Sequence, residues 1–219
     1  MFHVEQPLFI DVLLEGTSTF GIKLNQQQVS AMVSYYRELD RWSQKVNLTS
    51  IHDARETAIK HFLDSLLYGQ ALEQKENASL LDVGSGAGFP VLPLKIIMPE
   101  LHVTLLEPSE KKTSFLRHII GTLDLRDTLV VSKSLRDFTR ATAQHGRFAY
   151  ITTRAVSAEQ VLPYSMPLLK ERGRVIFCLA KILDDPGKHG FKISREIGYD
   201  LPHGYGHRVL TVLERTAIS

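Results

Sequence analysis

An apolar segment that runs directly into a glycine-rich turn is the feature that most constrains this 219-residue chain. Residues 80–83 read Leu-Leu-Asp-Val and are followed by Gly84, Gly86 and Gly88. Glycine permits a sharp turn and a close approach of the backbone to a ligand, and a following helix offers unpaired N–H groups. The pattern predicts an α/β domain that binds a nucleoside-bearing cofactor at the end of a strand.

The glycine spacing and a downstream carboxylate distinguish between cofactors. In the dinucleotide-binding fingerprint the third glycine would fall on Phe89, so this turn fits NAD poorly. The next apolar segment, 102–107, ends in Glu107, whose carboxylate can accept hydrogen bonds from both hydroxyls of a ribose. Glu107 follows Asp82 by 107 − 82 = 25 residues, which leaves room for one helix and a turn. We therefore expect S-adenosylmethionine as the cofactor.

Length indicates one core domain, and charge indicates that the second half of the chain contacts a polyanion. The chain is long enough for one α/β core and a smaller accessory segment. Its formal net charge is +2, yet residues 1–110 carry 8 Lys/Arg and 14 Asp/Glu (−6), whereas residues 111–219 carry 18 and 10 (+8). The basic half favours nucleic acid as a partner, although charged helix faces also serve simply to solvate a surface.

The single cysteine argues against a disulfide-rich or zinc-binding protein, and the lack of long apolar stretches argues against a membrane protein. Cys178 is the one cysteine in the sequence, which excludes an internal disulfide and a cysteine-rich zinc site, and no metal is expected. It lies in the apolar segment 175–179, where a strand position is expected rather than a nucleophile. No apolar stretch approaches about 18 residues, and the N-terminus lacks a basic region followed by an apolar run. We expect a soluble, cytoplasmic monomer without membrane contact.

Hydrophobic periodicity divides the chain at a polar segment, 73–79. Before it, a helix is predicted through Val29, Met32, Val33, Tyr36, Leu39 and Trp42, and a second around 55–71. After it, strands are predicted at 80–84, 102–107, 128–132, 148–153, 173–179, 192–197 and 208–214, with an amphipathic helix through Phe115, Leu116, Ile119, Ile120 and Leu123 and a turn-rich loop at 183–190. The expected fold is α/β: a Rossmann-like, mostly parallel seven-stranded sheet in 77–219, with an N-terminal helical extension in 1–76.

This pattern fits a class I S-adenosylmethionine-dependent methyltransferase, and the remaining residues narrow its target. The place after the fourth strand, where enzymes acting on exocyclic amines carry Asn/Asp-Pro-Pro-aromatic, reads Thr152-Thr153-Arg154-Ala155. Cytosine C5 methylation needs a cysteine nucleophile on a loop, which the strand position of Cys178 disfavours. A ring nitrogen such as guanine N7 has no proton to lose, so its methylation needs positioning more than a base.

Several motifs resemble one family. They are Trp42–Ser50 (with Asn-Leu-Thr), Lys60–Ser65 (with His-x-x-Asp-Ser), Asp82–Leu94 (with Gly-Phe-Pro-Val-Leu-Pro), Thr152–Ala155 and Arg208–Val212. Together they cover most of residues 35–215. They are similar to the bacterial small-subunit rRNA guanine-N7 methyltransferases, also called the glucose-inhibited division protein B family. The resemblance implies methyl transfer to guanine N7 of 16S rRNA, at position 527 in conventional rRNA numbering, on the rRNA or the small ribosomal subunit.

The turn and the resemblance together give a set of candidate site residues. Expected cofactor contacts are Asp82, Gly84, Gly86, Gly88, Phe89, Glu107, Leu135, Arg136 and Arg154. Arg154 is also the candidate catalytic residue, and its guanidinium suits a phosphate or the methionine carboxylate. Expected RNA contacts are Lys111, Lys112, Lys133 and Lys181. His61 and Asp64, three residues apart on a helix, are alternatively a structural pair that holds this helix to the sheet.

Three departures from the family pattern leave alternatives open. Val91 stands where the family usually has Gly, Ser134–Asp137 where it has Arg-x-Glu-Glu, and Ala149 where it has Asp before the fourth strand. These differences bear on the adenine pocket. They keep open a diverged methyltransferase acting on another RNA, a small molecule or a protein, and an inactive RNA-binding paralogue.

Overall fold

A computed structural model of the chain describes residues 2–73, 76–154, 156–179 and 185–216, and within them seven strands form one sheet. The strands are β1 Ser79–Val83, β2 His102–Leu106, β3 Thr128–Val131, β4 Phe148–Thr153, β5 Leu169–Leu179, β6 Phe191–Leu201 and β7 Gly206–Arg215. Their order is β3-β2-β1-β4-β5-β7-β6. This is the seven-stranded α/β fold that the sequence predicts.

The direction of the strands places a crevice beside β1. Strands β1 to β5 are parallel, whereas β7 runs antiparallel between β5 and β6. The chain moves outward from β1 through β2 to β3 and then returns to β4 on the other side of β1. In open α/β sheets such a reversal opens a crevice at the carboxyl ends of the two central strands. The glycine turn follows β1 and Arg154 follows β4, so both lie at this crevice.

Helices cover both faces of the sheet. They are α1 Phe2–Thr19, α2 Gln26–Ser43, α3 Ala54–Thr57, α4 Asp64–Leu67, α5 Val91–Ile97, α6 Glu110–Thr122, α7 Leu135–Thr139 and α8 Ala158–Leu168. A π-helical segment, Ala58–Leu63, joins α3 to α4, and a 3₁₀ turn, Tyr68–Ala71, follows. The α2 helix begins with a capping box between Asn25 and Gln28, which satisfies two otherwise unpaired backbone N–H groups.

Alternation along the strands builds a separate core on each face. Leu80 and Val103 belong to the core under α1, α2, α5 and α6. Leu81 and Leu106 belong to the core under α7 and α8. Because successive side chains of a strand point to opposite faces, two neighbouring residues of β1 contribute to two different cores. Strands buried on both faces read as continuous apolar runs, and this made β1 and β5 recognisable in the sequence.

An aromatic cluster joins the N-terminal helices to the glycine turn. Phe62 contacts Phe9 and Tyr35 edge-on, at ring-centroid distances of 4.9 and 5.3 Å. Tyr35 stacks on Phe89 at 5.2 Å, and its hydroxyl donates to the carbonyl of Ala87. Such ring pairs stabilise beyond their buried area. The helices that precede β1 therefore belong to the same core as the ligand-binding turn.

The predicted elements are largely confirmed, with differences at their ends. All seven strands are present, but β5 begins at Leu169 and β6 extends to Leu201, beyond their expected limits. The predicted helix through Phe115 is α6, and the one at 55–71 is a continuous helical segment with a π-helical centre. No element was predicted for 2–19, where α1 lies. Within the predicted loop at 183–190, residues 186–189 form a 3₁₀ turn, and residues 183 and 184 lie outside the described ranges.

We expect Phe62→Ala to lower the free energy of unfolding by about 3–5 kcal/mol, because it removes a fully buried ring from the aromatic cluster. Urea unfolding followed by circular dichroism measures this loss. Leu129→Ala is the control, since Leu129 is 58% exposed on the edge strand β3 and should change stability by less than about 0.5 kcal/mol. An equal effect of both changes would contradict a structural role for the cluster.

Candidate active site

The glycine turn after β1 is anchored to the end of β2 by its backbone. The N–H groups of Gly84 and Ser85 donate to the carbonyl of Leu106 at 2.8 and 3.2 Å. The N–H of Gly86 donates to Oε2 of Glu107 at 2.9 Å. Gly84, Gly86 and Gly88 have φ values of +71°, +56° and +91°, a region that other residues rarely adopt. The sequence folds into this turn because glycine occupies all three positions.

Glu107 lies against the larger of two cavities at the crevice. Its carboxylate is buried, and Oε1 accepts a hydrogen bond from the N–H of Ser109 at 3.0 Å. One backbone bond to each oxygen leaves further lone pairs for ligand hydroxyls. The cavity has a volume of about 640 Å³, a size suited to a nucleoside. It is lined by Val83, Gly84, Leu106, Glu107, Pro108, Lys112, Lys133, Ser134, Leu135, Arg136, Val156, Glu159, Gln160 and Tyr164.

A smaller cavity of about 280 Å³ adjoins the first. Gly84 and Lys112 line both, so the two cavities meet at the glycine turn. The smaller cavity is lined by Leu48, Thr49, His61, Gly84, Ser85, Gly86, Ala87, Phe89, Lys112 and Arg154. It therefore lies between the N-terminal helical segment and the ends of β1 and β4. This arrangement can hold a cofactor in one chamber and a second molecule in the other.

His61 is a neutral side chain in the smaller cavity. Its ring stacks on Phe89 at 4.6 Å with 11° between the planes, and its Nε2 lies 2.7 Å from Oγ1 of Thr49. Burial and then the positive charges of Arg154 and Lys60 lower the pKa of His61 to about 3. At neutral pH it therefore carries no charge. The alternative pairing of His61 with Asp64 does not form, because Thr49 and Phe89 hold His61 while Asp64 contacts Arg154.

Arg154 is held from two directions at the end of β4. Its Nη2 donates to the backbone carbonyl of Lys60 in the π-helical segment and lies 3.4 Å from Oδ2 of Asp64. Its Nη1 is buried and has no hydrogen-bond partner among the described residues. Unpaired buried donors are costly, so this nitrogen is available to an acceptor on a ligand. The guanidinium can thus bind a carboxylate or a phosphate in the smaller cavity.

Asp82 at the end of β1 is a buried acid with an elevated pKa. Its side chain is 1% exposed, and its Oδ1 accepts a hydrogen bond from the hydroxyl of Thr152 at 2.9 Å. Burial raises the pKa of Asp82 to about 7, and the hydrogen bond from Thr152 opposes this only in part. Near neutral pH the group is therefore present in both protonation states.

The structure distributes the predicted site residues over the two cavities. Gly84, Glu107, Leu135 and Arg136 line the larger cavity, and Gly86, Phe89 and Arg154 line the smaller one. Asp82 and Gly88 lie beneath the turn and line neither. Among the predicted RNA contacts, Lys112 lines both cavities, Lys133 lines the larger, Lys111 is exposed outside both, and Lys181 lies outside the described residues.

Some lining residues were not found from the sequence. Val156 lies in the turn before α8, Gln160 and Tyr164 lie on α8 itself, and no motif marks them. Thr49 belongs to the Asn-Leu-Thr motif, but its bond to His61 could not be read from spacing. Cys178 lies in β5 as expected, and burial raises the pKa of its thiol to about 11, so it is a poor nucleophile.

Residues 28–186 match the model of the GidB family, described as rRNA small subunit methyltransferase G. The chain belongs to this family. A ribosomal RNA small subunit methyltransferase G from Roseiflexus castenholzii is 43% identical over 178 residues, which cover 80% of this chain and 75% of the relative. One from Lactococcus lactis subsp. cremoris is 36% identical over 217 residues, covering 94% and 90%. The family and these relatives are thus described as methyltransferases of small-subunit ribosomal RNA.

Solved structures share the fold at low sequence identity. A S-adenosylmethionine-dependent methyltransferase from Aquifex aeolicus has a TM-score of 0.56 at 15% identity, covering 83% of this chain and 97% of that one. TrmN from Thermus thermophilus has a TM-score of 0.55 at 16% identity, covering 70% and 48%. These likenesses show the class I methyltransferase fold. No helix in the described part of the chain is long and apolar enough to cross a membrane.

We expect Gly86→Ala and Gly88→Ala to separate ligand binding from folding. A Cβ on Gly86, which lines the smaller cavity, meets only the Gly84 carbonyl at 3.8 Å, whereas one on Gly88 meets Leu92 and the Tyr35 hydroxyl at 2.5 Å. Calorimetry should show at least about tenfold weaker S-adenosylmethionine binding by Gly86→Ala, with only about 1–2 kcal/mol of backbone strain. Gly88→Ala should mainly lower the unfolding temperature. Unchanged affinity in the Gly86 variant would place the cofactor elsewhere.

We expect Asp82 to make folding stability depend on pH. Its folded pKa, about 7, lies above the ordinary value near 4, so the folded state binds more protons between these values. The contribution of Asp82 is therefore full below pH 4 and is lost as the pH rises towards 7. Asp82→Asn stays neutral, so the wild type should lose stability relative to this variant between pH 4 and 7. Urea unfolding at several pH values measures the difference, and a constant difference would contradict a raised pKa.

Proposed function

We propose that this chain transfers a methyl group from S-adenosylmethionine to N7 of a single guanine in 16S rRNA, the one at position 527. Membership in the family supports the reaction, and the two adjoining cavities that meet at Gly84 and Lys112 are the observation that carries the assignment to this site. The larger chamber suits the nucleoside of the cofactor, and the smaller one suits the methionine end of the cofactor and the target base. The protein acts in the cytoplasm as a monomer, with residues 77–219 as the catalytic domain and 1–76 as a helical extension.

The residues of the larger cavity fit the adenosine part of the cofactor. Glu107 accepts hydrogen bonds from the ribose hydroxyls, since its carboxylate is already oriented by the N–H groups of Gly86 and Ser109. Leu135 offers an apolar surface to the adenine, and Arg136 at the rim contributes its backbone. The departure from the family pattern at Ser134–Asp137 is compatible with this role, because Ser134 caps α7 through a bond from the N–H of Asp137 at 3.2 Å.

The residues of the smaller cavity position the base rather than remove a proton. When bound, S-adenosylmethionine would supply an electrophilic methyl carbon to the N7 lone pair of guanine, which has no proton to lose. His61 is neutral and stacked, so it shapes the cavity without adding a positive charge beside the base. Arg154 binds an anionic group, either the methionine carboxylate or an RNA phosphate, through its unpaired Nη1. Correct orientation is the main contribution that this site makes to the rate.

The basic residues near the two cavities differ in their roles. Lys112 lines both chambers and serves the site itself, whereas Lys111 is exposed on the same helix and serves RNA docking. Lys133 lies at the rim of the larger cavity. RNA affinity falls as salt concentration rises, and the slope of log affinity against log salt concentration depends on the number of phosphate contacts. Each lost phosphate contact makes this slope shallower by roughly 0.7–0.9. Lys111 therefore contributes to binding in a salt-dependent way without contacting the cofactor.

The experiment that tests this function compares methylated nucleotides of 16S rRNA from cells with and without the gene. Mass mapping should show 7-methylguanosine at one position, lost on deletion and restored by the wild-type gene. The purified protein should also transfer labelled methyl to 16S rRNA or to small subunits from the deletion strain. Binding of rRNA without transfer would indicate an inactive paralogue, and transfer to a different acceptor would indicate a diverged methyltransferase. Either result would overturn the proposal.

We expect Arg154→Ala to lower turnover by about 10²-fold, because loss of the guanidinium misplaces the reacting groups. Arg154→Lys keeps the charge but loses the planar fork, so it should recover only part of the rate. Single-turnover methyl transfer to 16S rRNA measures both. Lys111→Ala is the control, which should weaken RNA binding most at low salt while leaving the rate on bound RNA unchanged. Full transfer by Arg154→Ala would remove this residue from the site.

A further inference from the structure

The carboxylate of Asp64 is buried where three separate elements of the sheet meet the N-terminal helices. It is 1% exposed and begins α4, directly after the π-helical segment. Its Oδ1 accepts a hydrogen bond from the hydroxyl of Tyr199 on β6 at 2.7 Å. Its Oδ2 lies 3.4 Å from Nη2 of Arg154 at the end of β4 and 3.9 Å from Nε of Arg208 on β7. Asp64 itself lines neither of the two cavities of the crevice.

The charges around Asp64 are unequal. One carboxylate faces two guanidiniums, those of Arg154 and Arg208, so one positive charge has no counterion in the group. A buried ion pair with a purely structural role is favourable only when its charges and hydrogen bonds are complete. Here Nη1 of Arg154 has no partner among the described residues. An anionic ligand at Arg154 would supply the missing counter-charge and an acceptor for this nitrogen.

The remaining contacts fix the Arg154 guanidinium in one orientation. Nη2 is used twice, by the carbonyl of Lys60 and by Asp64, and both contacts come from the N-terminal helical segment. The side chain of Arg154 is 21% exposed and lines the smaller cavity. A long side chain that is hydrogen-bonded to one group and ion-paired with another loses part of its rotamer freedom before the ligand arrives, which lowers the entropic cost of binding.

We propose that Asp64 is a positioning residue for methyl transfer, which acts by holding the guanidinium of Arg154 against the smaller cavity. This proposal rests on the proposed function of the site. Tyr199 and Arg208 fix the carboxylate from the β6–β7 hairpin, so the hairpin and the N-terminal helices together set the position of Arg154. A residue that acts only through Arg154 has no effect on the rate once Arg154 is absent.

A double-mutant cycle tests this dependence. Asp64→Asn, Arg154→Ala and the double variant are compared in single-turnover methyl transfer, with enzyme in excess over 16S rRNA so that slow variants are measurable. Asp64→Asn alone should reduce the rate about tenfold, within the coupling expected of contacting residues. In the Arg154→Ala background it should reduce the rate by less than about twofold. Losses that multiply in the double variant would overturn the positioning role, because they would show that Asp64 acts independently of Arg154.

Further variants keep the cycle informative if Asp64→Asn does not fold. Tyr199→Phe removes only the hydrogen bond to Oδ1 and retains the carboxylate, and its rate loss should likewise disappear when Arg154 is replaced. Glu56→Gln is the matched control, an acid-to-amide change on the same helical segment that affects only the ion pair with the side chain of Lys60. It should leave the rate within about twofold of the wild type in both backgrounds. A rate loss of Tyr199→Phe that persists without Arg154 would also overturn the proposal.

The outcome separates this proposal from the proposed function. If the wild type transfers no methyl group to 16S rRNA, the function itself is wrong. If the wild type is active and the losses of Asp64→Asn and Arg154→Ala multiply, only the positioning role is wrong. Calorimetry of S-adenosylmethionine and circular dichroism of each variant show whether a rate loss arises from a lost cofactor site or from unfolding.

Discussion

The carboxylate of Glu107 fixes the geometry on which the rest of the site depends. Glu107 directly follows β2, and its carboxylate accepts a hydrogen bond from the N–H of Gly86, which holds the glycine turn after β1 against the end of β2. The same group faces the larger cavity with its remaining lone pairs. Because the turn has no side chains of its own at positions 84, 86 and 88, its conformation depends on backbone bonds to its neighbour. One side chain thus both shapes the turn and offers acceptors to a ligand.

Burial at the crevice shifts the pKa values of the acidic and basic groups there in opposite directions. Burial raises the pKa of Asp82 and lowers that of His61, so the neutral form of each gains in stability. Arg154 forms an ion pair with Asp64 at 3.4 Å. A methyl transfer to a ring nitrogen removes no proton, and a neutral His61 agrees with a site that orients its substrate rather than accepting a proton from it.

The N-terminal helices are part of the site and not only a cover for the sheet. His61 and the carbonyl of Lys60 come from the π-helical segment between α3 and α4, and π-helical turns occur often at functional sites. Phe62 in the same segment packs into the aromatic cluster with Tyr35 and Phe89. The stability of this cluster and the shape of the smaller cavity therefore depend on the same few rings.

The sequence by itself determined the succession of strands and helices along the chain and the end of the sheet at which the cofactor binds. Apolar runs marked the central strands such as β1 and β5, because a doubly covered sheet buries both of their faces, and three glycines after β1 marked the turn. The motifs also identified the family. Each of these signals lies within a short stretch of sequence, so it can be recognised without the tertiary structure. Helix α1 was missed because it presents a narrow apolar face, Phe9, Val12 and Leu13, among other apolar residues.

Only the tertiary structure decided which side chains meet. Asp64 is three residues from His61 in the chain, yet it pairs with Arg154, 90 residues away, and with Tyr199 and Arg208 beyond that. Spacing on a helix predicts which residues are neighbours along that helix. The partners of a buried charge are instead set by the packing of the helix against the sheet. The division into two cavities, with Lys112 in both and Lys111 in neither, likewise follows from the direction in which α6 presents its first turn. Sequence specified the groups, and the fold specified their contacts.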